Sequence, residues 1–133
     1  MDIYAQNVLD RYKTPFHKDQ SIKPAISHAE ANHSCGDKVE VKLEMNGDKV
    51  SAYSFSGEGC AISMASADML GDLVAGLALD EILKIAKKDV YEMLGIEISL
   101  RRSKCALLSL LALQNGILLN GKKAKLSWVD YHL

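Results

Sequence analysis

The alternation of apolar and polar residues is strongest in KVEVKLEM, residues 38–45. Every second residue of this stretch is apolar, which is the period of a β-strand that buries one face. Residues 50–55 form a second such stretch, and the Asn46–Gly47 dipeptide between them is typical of a type I′ hairpin turn. The pattern therefore predicts a β-hairpin over about residues 38–56, with one apolar face formed by Val39, Val41, Leu43 and Met45.

Apolar residues recur with helical spacing in four other parts of the chain. The first helix is predicted over residues 3–12 and ends before Pro15. Residues 61–76, 79–95 and 105–118 predict the remaining helices, with Met64, Met69, Leu70 and Leu73 as core positions. Residues 14–37 are expected to be irregular, residues 95–102 a loop or short extended piece, and residues 123–133 a tail that could add a strand.

A hairpin followed by helices predicts an α+β fold, with helices packed on one face of a small antiparallel sheet, in a single domain over residues 1–133. An isolated hairpin is only marginally stable, so a third strand is expected. The segment around residues 124–131 and the chain near residues 20–28 are both candidates for it, and the pattern does not choose between them.

Composition and charge exclude several function classes. The 16 Lys and Arg residues nearly balance the 17 Asp and Glu residues, and no aromatic residues interleave with the basic ones, so no nucleic-acid partner is expected. No apolar run reaches the length of a membrane span, and no secretory signal is evident. With three cysteines, an odd number, a disulfide framework is not expected, so the sequence predicts a cytoplasmic protein with free thiols.

The three cysteines all lie at junctions between predicted elements. Cys60, in GEGCAIS, follows two glycines and precedes a helix, where free backbone N–H groups favour a thiolate. Cys105 follows Arg101, Arg102 and Lys104 at the start of another helix, and Cys35 lies in SCGD, two residues before Asp37. Buried cysteines commonly serve as small core residues. Three thiols and one carboxylate nevertheless make a four-ligand set for a thiophilic metal, although no C-x-x-C pair is present.

The chain resembles the iron–sulfur cluster assembly scaffolds of the IscU, SufU and NifU N-terminal type. The resemblance is carried by SCGD, GEGCAIS and the Lys-Cys pair at residues 104–105, together with VLDRYKTPFHKD near the start of the chain, and it covers essentially the whole sequence. It implies that Cys35, Asp37, Cys60 and Cys105 bind metal or a cluster. It also implies an α+β fold, sulfur delivery by a cysteine desulfurase, and a [2Fe-2S] cluster, iron or zinc at the same site.

Two departures from the IscU pattern bear on function. Lys104 stands where IscU proteins have a histidine, and a protonated lysine is a poor metal ligand. Residues 99–104, SLRRSK, replace the motif that the dedicated chaperone of the IscU branch reads. Arg102-Ser103-Lys104-Cys105 instead resembles the SufU branch, whose members act largely as zinc-bound sulfur acceptors. The interval between the second and third cysteines is short, as in IscU, so the sequence mixes features of both branches.

The resemblance therefore implies a scaffold without enzymatic activity of its own. It would accept sulfur, assemble a [2Fe-2S] cluster and hand it to acceptor apo-proteins. The alternative is a SufU-like zinc-bound sulfur relay that stimulates its desulfurase. Cys105 is the first candidate for the sulfur acceptor and Cys60 the second. A homodimer is left open.

Two further interpretations assign zinc to the site: a zinc enzyme with Glu58 beside the site, and a structural zinc domain. Among the histidines, His17, His33 and His132 are expected at the solvated surface, and the alternative for His33 is that it approaches the site.

Overall fold

The computed structural model of the protein describes residues 2–133. Within this range it contains three β-strands, five α-helices and two short 3₁₀ turns, which confirms the α+β class. The strands are β1 (Ile26–Asn32), β2 (Asp37–Asn46) and β3 (Lys49–Glu58). The helices are α1 (Ile3–Lys13), α2 (Ala61–Val74), α3 (Leu79–Leu83), α4 (Lys87–Leu94) and α5 (Ser103–Asn120), with 3₁₀ turns at Leu100–Arg102 and Trp128–Tyr131.

The three strands form one antiparallel sheet in the order β1-β2-β3. The predicted hairpin is confirmed as β2 and β3, with Asn46 opposite Lys49. Its turn is not type I′, because that turn needs a positive φ at both central residues, and only Gly47, not Asp48, has one. The alternation in β2 is also confirmed, since Val39, Val41 and Leu43 are buried.

The third strand is β1, in a stretch that the sequence predicts to be irregular. Residues 26–32 pair along their whole length with β2, from Ile26 opposite Leu43 to Asn32 opposite Asp37. The expectation of a strand near residues 20–28 is therefore right only at its end, and the alternative at residues 124–131 is wrong. Those residues contain a 3₁₀ turn at Trp128–Tyr131, and residues 123–133 form no strand.

The sheet packs against α2 and α5. Helix α5 lies on β1 and β2 and helix α2 on β3, and the two helices also contact each other. Helix α5 is buried nearly all round, because α2, α3 and α4 contact it in addition to the sheet. The predicted helix over residues 79–95 is divided, since α3 ends at Leu83 and α4 begins at Lys87. Of the predicted core positions in α2, Leu73 is exposed, whereas Met64, Met69 and Leu70 are buried.

Polar contacts with α2 hold the N-terminal segment in place. In α1 the apolar stripe is not a buried face: Val8 is buried, but Ile3 is 79% exposed. The guanidinium of Arg11 instead pairs with the fully buried Asp68 of α2. Asp68 also accepts the backbone N–H groups of Phe16 and His17 at 2.9 and 2.7 Å. His17, expected at the solvated surface, is half-buried, because its ring packs edge-on against Tyr53; its Nε2 lies 2.8 Å from the exposed Asp72.

The C-terminal segment returns along α5. The buried Asn115 side chain bonds both backbone groups of Leu126, and the Tyr131 hydroxyl donates to Gln114 at 2.6 Å. The chain end itself lies near the start of α5, since Leu133 lines the same cleft as Lys104 and Cys105. Among residues 2–133, no helix has both the length and the apolarity that crossing a membrane requires.

Candidate metal and sulfur site

A tight connection between β1 and β2 presents Cys35. Asn32 and Asp37 face each other at the open end of this strand pair, so residues 33–36 must reverse the chain. The carbonyl of Asn32 accepts the N–H groups of Cys35 and Gly36 at 3.3 and 3.0 Å, and Gly36 has φ of +76°. This left-handed value favours glycine. The Cys35 thiol is exposed, and Asp37 next to it is buried.

Cys60 is the N-cap residue of α2, as the sequence predicts. Its Sγ accepts the N–H of Ser63 at 3.5 Å, in the place that a serine or aspartate oxygen usually takes. Glycine is required at Gly57 and at Gly59 for different steric reasons. A Cβ on Gly57, whose φ is +137°, would lie 2.0 Å from the carbonyl oxygen of Lys38. A Cβ on Gly59 would lie 2.6 Å from Oδ1 of Asp37, so Gly59 leaves the space that the carboxylate fills.

Two serines on α2 bring the start of α5 to the same place. Ser63 lies 3.2 Å from the carbonyl oxygen of Cys105, and Ser66 donates to the carbonyl of Ala106 at 2.7 Å. Both serines are almost fully buried. Cys105 is the third residue of α5, so these contacts place its thiol close to the N-terminus of α2.

The ligand atoms of Cys35, Asp37 and Cys105 all lie within 4.8 Å of one another. The sulfurs of Cys35 and Cys105 are 3.8 Å apart. Cys60 is not part of that set but adjoins it, with its Sγ 3.8 Å from Oδ2 of Asp37. The structure thus brings the four predicted site residues into one region, three of them as a compact group and Cys60 at its side.

Hydrogen bonds hold the Asp37 carboxylate in its charged form. Burial favours the neutral acid, but the hydroxyl of Ser63, the thiols of Cys35 and Cys105 and the N–H of Cys60 bond to the carboxylate and together lower its pKa. The N–H of Cys60 donates to Oδ1 at 3.1 Å. Asp37 therefore supplies a fixed negative charge among the thiols at neutral pH.

The three thiols differ in exposure. Cys35 is exposed, Cys60 is half-buried, and Cys105 is buried with 3% of its surface accessible. Burial, together with the neighbouring cysteines, raises the pKa of the Cys105 thiol to about 12. The sequence argument for ranking Cys105 first rested on basic neighbours, and this burial outweighs their effect.

A cleft of about 510 Å³ opens onto Cys35 and Cys105. Its rim carries Arg101 and Arg102, and both are exposed. Among residues 2–133, neither arginine has a carboxylate within ion-pair distance. Lys104 also lines this cleft, but its ammonium lies over the ring of Trp128, 5.8 Å from the ring centroid.

Several expectations about neighbouring residues can now be compared with the structure. His33 is exposed, as predicted, and lines a separate groove on the sheet, away from the compact group. Glu58 is exposed at the end of β3.

Sequence reasoning missed Ser63 and Asn32, although both contact site residues. Ser63 is at the N3 position of the helix that Cys60 caps. Because an N-cap side chain commonly bonds the N3 N–H, the sequence could have predicted the contact between Ser63 and Cys60.

Comparisons with known proteins decide the family. The sequence profile of the NifU-like N-terminal domain matches residues 3–126. The chain belongs to this family. It is 31% identical to the zinc-dependent sulfurtransferase SufU of Bacillus subtilis, over 86% of this chain and 89% of that protein. It is also 31% identical to the nitrogen fixation protein NifU of a Nostoc species, over 69% of this chain, which spans only 33% of that longer protein.

A solved structure agrees with the fold. A SUF-system iron–sulfur scaffold protein from Fervidobacterium islandicum has a TM-score of 0.70 against this chain at 24% identity, and the match covers 84% of this chain and 94% of that one. At this identity the likeness concerns the fold alone. The family that the three cysteine motifs indicate is thus confirmed by the comparisons taken together.

Proposed function

We propose that this protein is an iron–sulfur cluster assembly scaffold that receives sulfur from a cysteine desulfurase and assembles a [2Fe-2S] cluster for acceptor apo-proteins. The observation that carries the proposal is the convergence of Cys35, Asp37 and Cys105, with Cys60 beside them, from three separate parts of the chain. The family membership and the SufU and NifU relatives support the same function.

The donor set fits a thiophilic metal. Thiolates suit zinc and iron alike, and a carboxylate completes a four-ligand set. Two thiolates bound tetrahedrally to zinc at about 2.3 Å lie about 3.8 Å apart. The sulfurs of Cys35 and Cys105 are separated by 3.8 Å. Cys35, Asp37, Cys60 and Cys105 would hold such a metal, which would stabilise the thiolate form of its cysteine ligands.

Sulfur acceptance is best served by an exposed thiol. A thiolate attacks the outer sulfur of a protein persulfide; the donor S–S bond breaks, a new S–S bond forms on the acceptor, and the donor cysteine leaves as a thiolate. The transfer needs no external oxidant or reductant. Because Cys35 is exposed beside the cleft, we assign the first acceptance to Cys35, ahead of the sequence candidates Cys60 and Cys105.

A second function, the zinc-bound sulfur relay, is favoured by one specific observation. The lysine that stands before the third cysteine points its ammonium at Trp128, so it offers no ligand in place of the IscU histidine. The SufU relative also aligns over most of this chain. In that case the protein acts as a sulfurtransferase partner of the desulfurase, and persulfide is its product.

The two zinc readings have less support. A zinc enzyme needs a positioned general base, and Glu58 is exposed and has no ion pair with any of residues 2–133. A structural zinc domain would depend on metal for folding, whereas this chain has a hydrophobic core that includes all three strands and all five α-helices.

The decisive experiment is anaerobic incubation of zinc-free protein with cysteine desulfurase, cysteine and ferrous iron. Visible absorbance, bound iron and acid-labile sulfide are measured on the re-isolated protein. Iron and sulfide in similar amounts, lost in Cys60→Ala, support the cluster scaffold. A colourless protein that carries persulfide and binds zinc supports the relay. A protein that gains neither iron nor persulfide contradicts both.

A further inference from the structure

Asn32 is the residue from which the Cys35 turn begins. It is the last residue of β1 and lies opposite Asp37, the first residue of β2. Only 6% of its surface is accessible, which is unusual for asparagine, and it lines the cleft that opens onto Cys35 and Cys105. A buried amide without hydrogen-bond partners is energetically unfavourable, so we expect both the donor and the acceptor of this side chain to be bonded.

Both ends of the Asn32 amide are occupied. Its Nδ2 donates to Sγ of Cys35 at 3.0 Å, and its Oδ1 accepts the backbone N–H of Ser34 at 3.3 Å. The second contact fixes which end faces the sulfur, because a reversed amide would set an N–H group against the Ser34 N–H and an oxygen against Sγ. The hydrogen bond from the Ser34 N–H to Oδ1 therefore leaves Nδ2 facing Sγ of Cys35.

An N–H donor directed at sulfur favours electron-rich sulfur. A metal-bound thiolate or a persulfide carries negative charge, and hydrogen bonds to charged acceptors are stronger than those to neutral ones. Cys35 is the exposed member of the group, and its sulfur lies 3.8 Å from that of Cys105. The Asn32 amide is therefore placed to hold the most exposed sulfur of the site at its position beside Cys105.

We propose that Asn32 is a positioning residue of the site. Its amide fixes the Cys35 sulfur and strengthens the binding of thiophilic metal through that sulfur. Partners of metal ligands typically change metal affinity by about 10- to 100-fold. This inference rests on the proposed function in one respect, because it requires Cys35 to be a metal ligand.

The competing explanation is that Asn32 only stabilises the turn. Asn32→Asp separates the two roles: it keeps an oxygen for the Ser34 N–H, as aspartate does in such turns, and removes the donor to sulfur. Asn32→Ala removes both contacts and adds no ligand. Cys35→Ala reports whether the sulfur itself binds metal.

The test is titration of zinc-free protein with Co²⁺, followed by the sulfur-to-cobalt charge-transfer absorbance, with thermal unfolding of each metal-free variant. We expect Asn32→Asp and Asn32→Ala to weaken Co²⁺ binding by about tenfold or more and to shift the charge-transfer band. Asn32→Asp buries a second carboxylate opposite Asp37, so its unfolding temperature should fall, and its loss of Co²⁺ affinity is compared with that of Asn32→Ala, which adds no charge.

Three results would overturn the inference. Asn32→Asp could bind Co²⁺ as tightly as the parent protein, or more tightly, with the same band. Asn32→Ala could lower the unfolding temperature and leave Co²⁺ affinity unchanged. If Cys35→Ala leaves Co²⁺ binding intact, the proposed site fails together with the inference; if it abolishes binding and the Asn32 variants do not weaken it, only the inference fails.

Discussion

The Ser63 hydroxyl donates a hydrogen bond to Oδ2 of Asp37, deep in the contact between α2 and the start of β2. The Ser63 hydroxyl oxygen also lies 3.2 Å from the carbonyl oxygen of Cys105. Sγ of Cys60 lies 3.6 Å from this hydroxyl as well. One buried side chain thus contacts three of the candidate ligand residues, although it offers no strong metal ligand itself. The arrangement fixes the direction of the carboxylate before any metal binds.

Ser63→Ala should therefore weaken metal binding more than it weakens the fold. Loss of one buried hydrogen bond costs roughly 1 kcal/mol of unfolding free energy, and a misdirected ligand costs about tenfold in affinity. Ser66→Ala is the matched control, because Ser66 is equally buried on α2 and bonds to Ala106 of α5 without reaching Asp37. For both variants, Zn²⁺ affinity is measured by competition with a chromophoric chelator, and stability is measured by urea unfolding. Equal affinity losses in the two variants would contradict a role for Ser63 at the site.

Asp37→Ala should change cluster transfer more than stability. A carboxylate is a harder ligand than a thiolate and holds a cluster less firmly, so a scaffold that must release its cluster can use it. The variant leaves the N–H of Cys60 and the hydroxyl of Ser63 without their acceptor, a cost of about 1–3 kcal/mol that a core of this size should survive. The rate of transfer to an apo-ferredoxin, followed by circular dichroism, should change by about tenfold.

The control for this prediction is Asp48→Ala, which removes an exposed carboxylate at the hairpin turn. An unchanged transfer rate in Asp37→Ala, or an equal change in both variants, would contradict the role of Asp37 in release.

The strands and helices were predictable where the spacing of apolar residues matches the face that the element buries. The alternation in β2 indicates its inward face directly, since Val41 and Leu43 are fully buried. β1 escaped prediction because its interior, ISHAEAN, has few large apolar residues, and it is a strand because β2 offers a free edge. Helix α1 shows the opposite error: its apolar residues suggested a buried face, but the ion pair of Arg11 with Asp68 holds it in place.

The site was predictable as a set of residue types and not as a geometry. Cysteine motifs at the starts of elements pointed to Cys35, Cys60 and Cys105, and the nearby carboxylate to Asp37. The partners of these residues could not be deduced in the same way, because Asn32 and Ser63 act through contacts that exist only after β1 pairs and α2 packs on α5. The burial of Cys105, which reverses the expected effect of its basic neighbours, also arises from tertiary packing.

The thiols should differ in reactivity when metal is absent. At pH 8, iodoacetamide should modify the exposed Cys35 well before the buried Cys105. The pKa of Cys105, raised to about 12, keeps this thiol protonated in the folded protein while the unfolded chain ionises near pH 9. Stability should therefore fall as pH rises from about 9 toward 12, because the unfolded state then binds fewer protons. Peptide mass spectrometry and urea unfolding at several pH values measure both effects.

Cys105→Ser is the control for the pH effect, since a serine hydroxyl does not titrate in this range. The variant should lose part of the decline in stability above pH 9. Faster modification of Cys105 than of Cys35 would show that the metal-free site opens, against the packing seen at the start of α5.

The arginines on the cleft rim should guide the sulfur donor. Arg101 and Arg102 are exposed beside the cleft that reaches Cys35, and no carboxylate of residues 2–133 neutralises them, so an acidic surface around the donor persulfide would find complementary charge there. The double variant Arg101→Glu/Arg102→Glu should slow persulfide transfer from the desulfurase by about tenfold at low salt, with a smaller effect at 0.5 M salt because the charges are screened. Lys122→Glu/Lys123→Glu makes the same charge change at exposed residues away from the cleft lining and should leave transfer unchanged. Equal slowing by both variants would attribute the effect to net charge, and no slowing by the arginine variant would place the donor elsewhere.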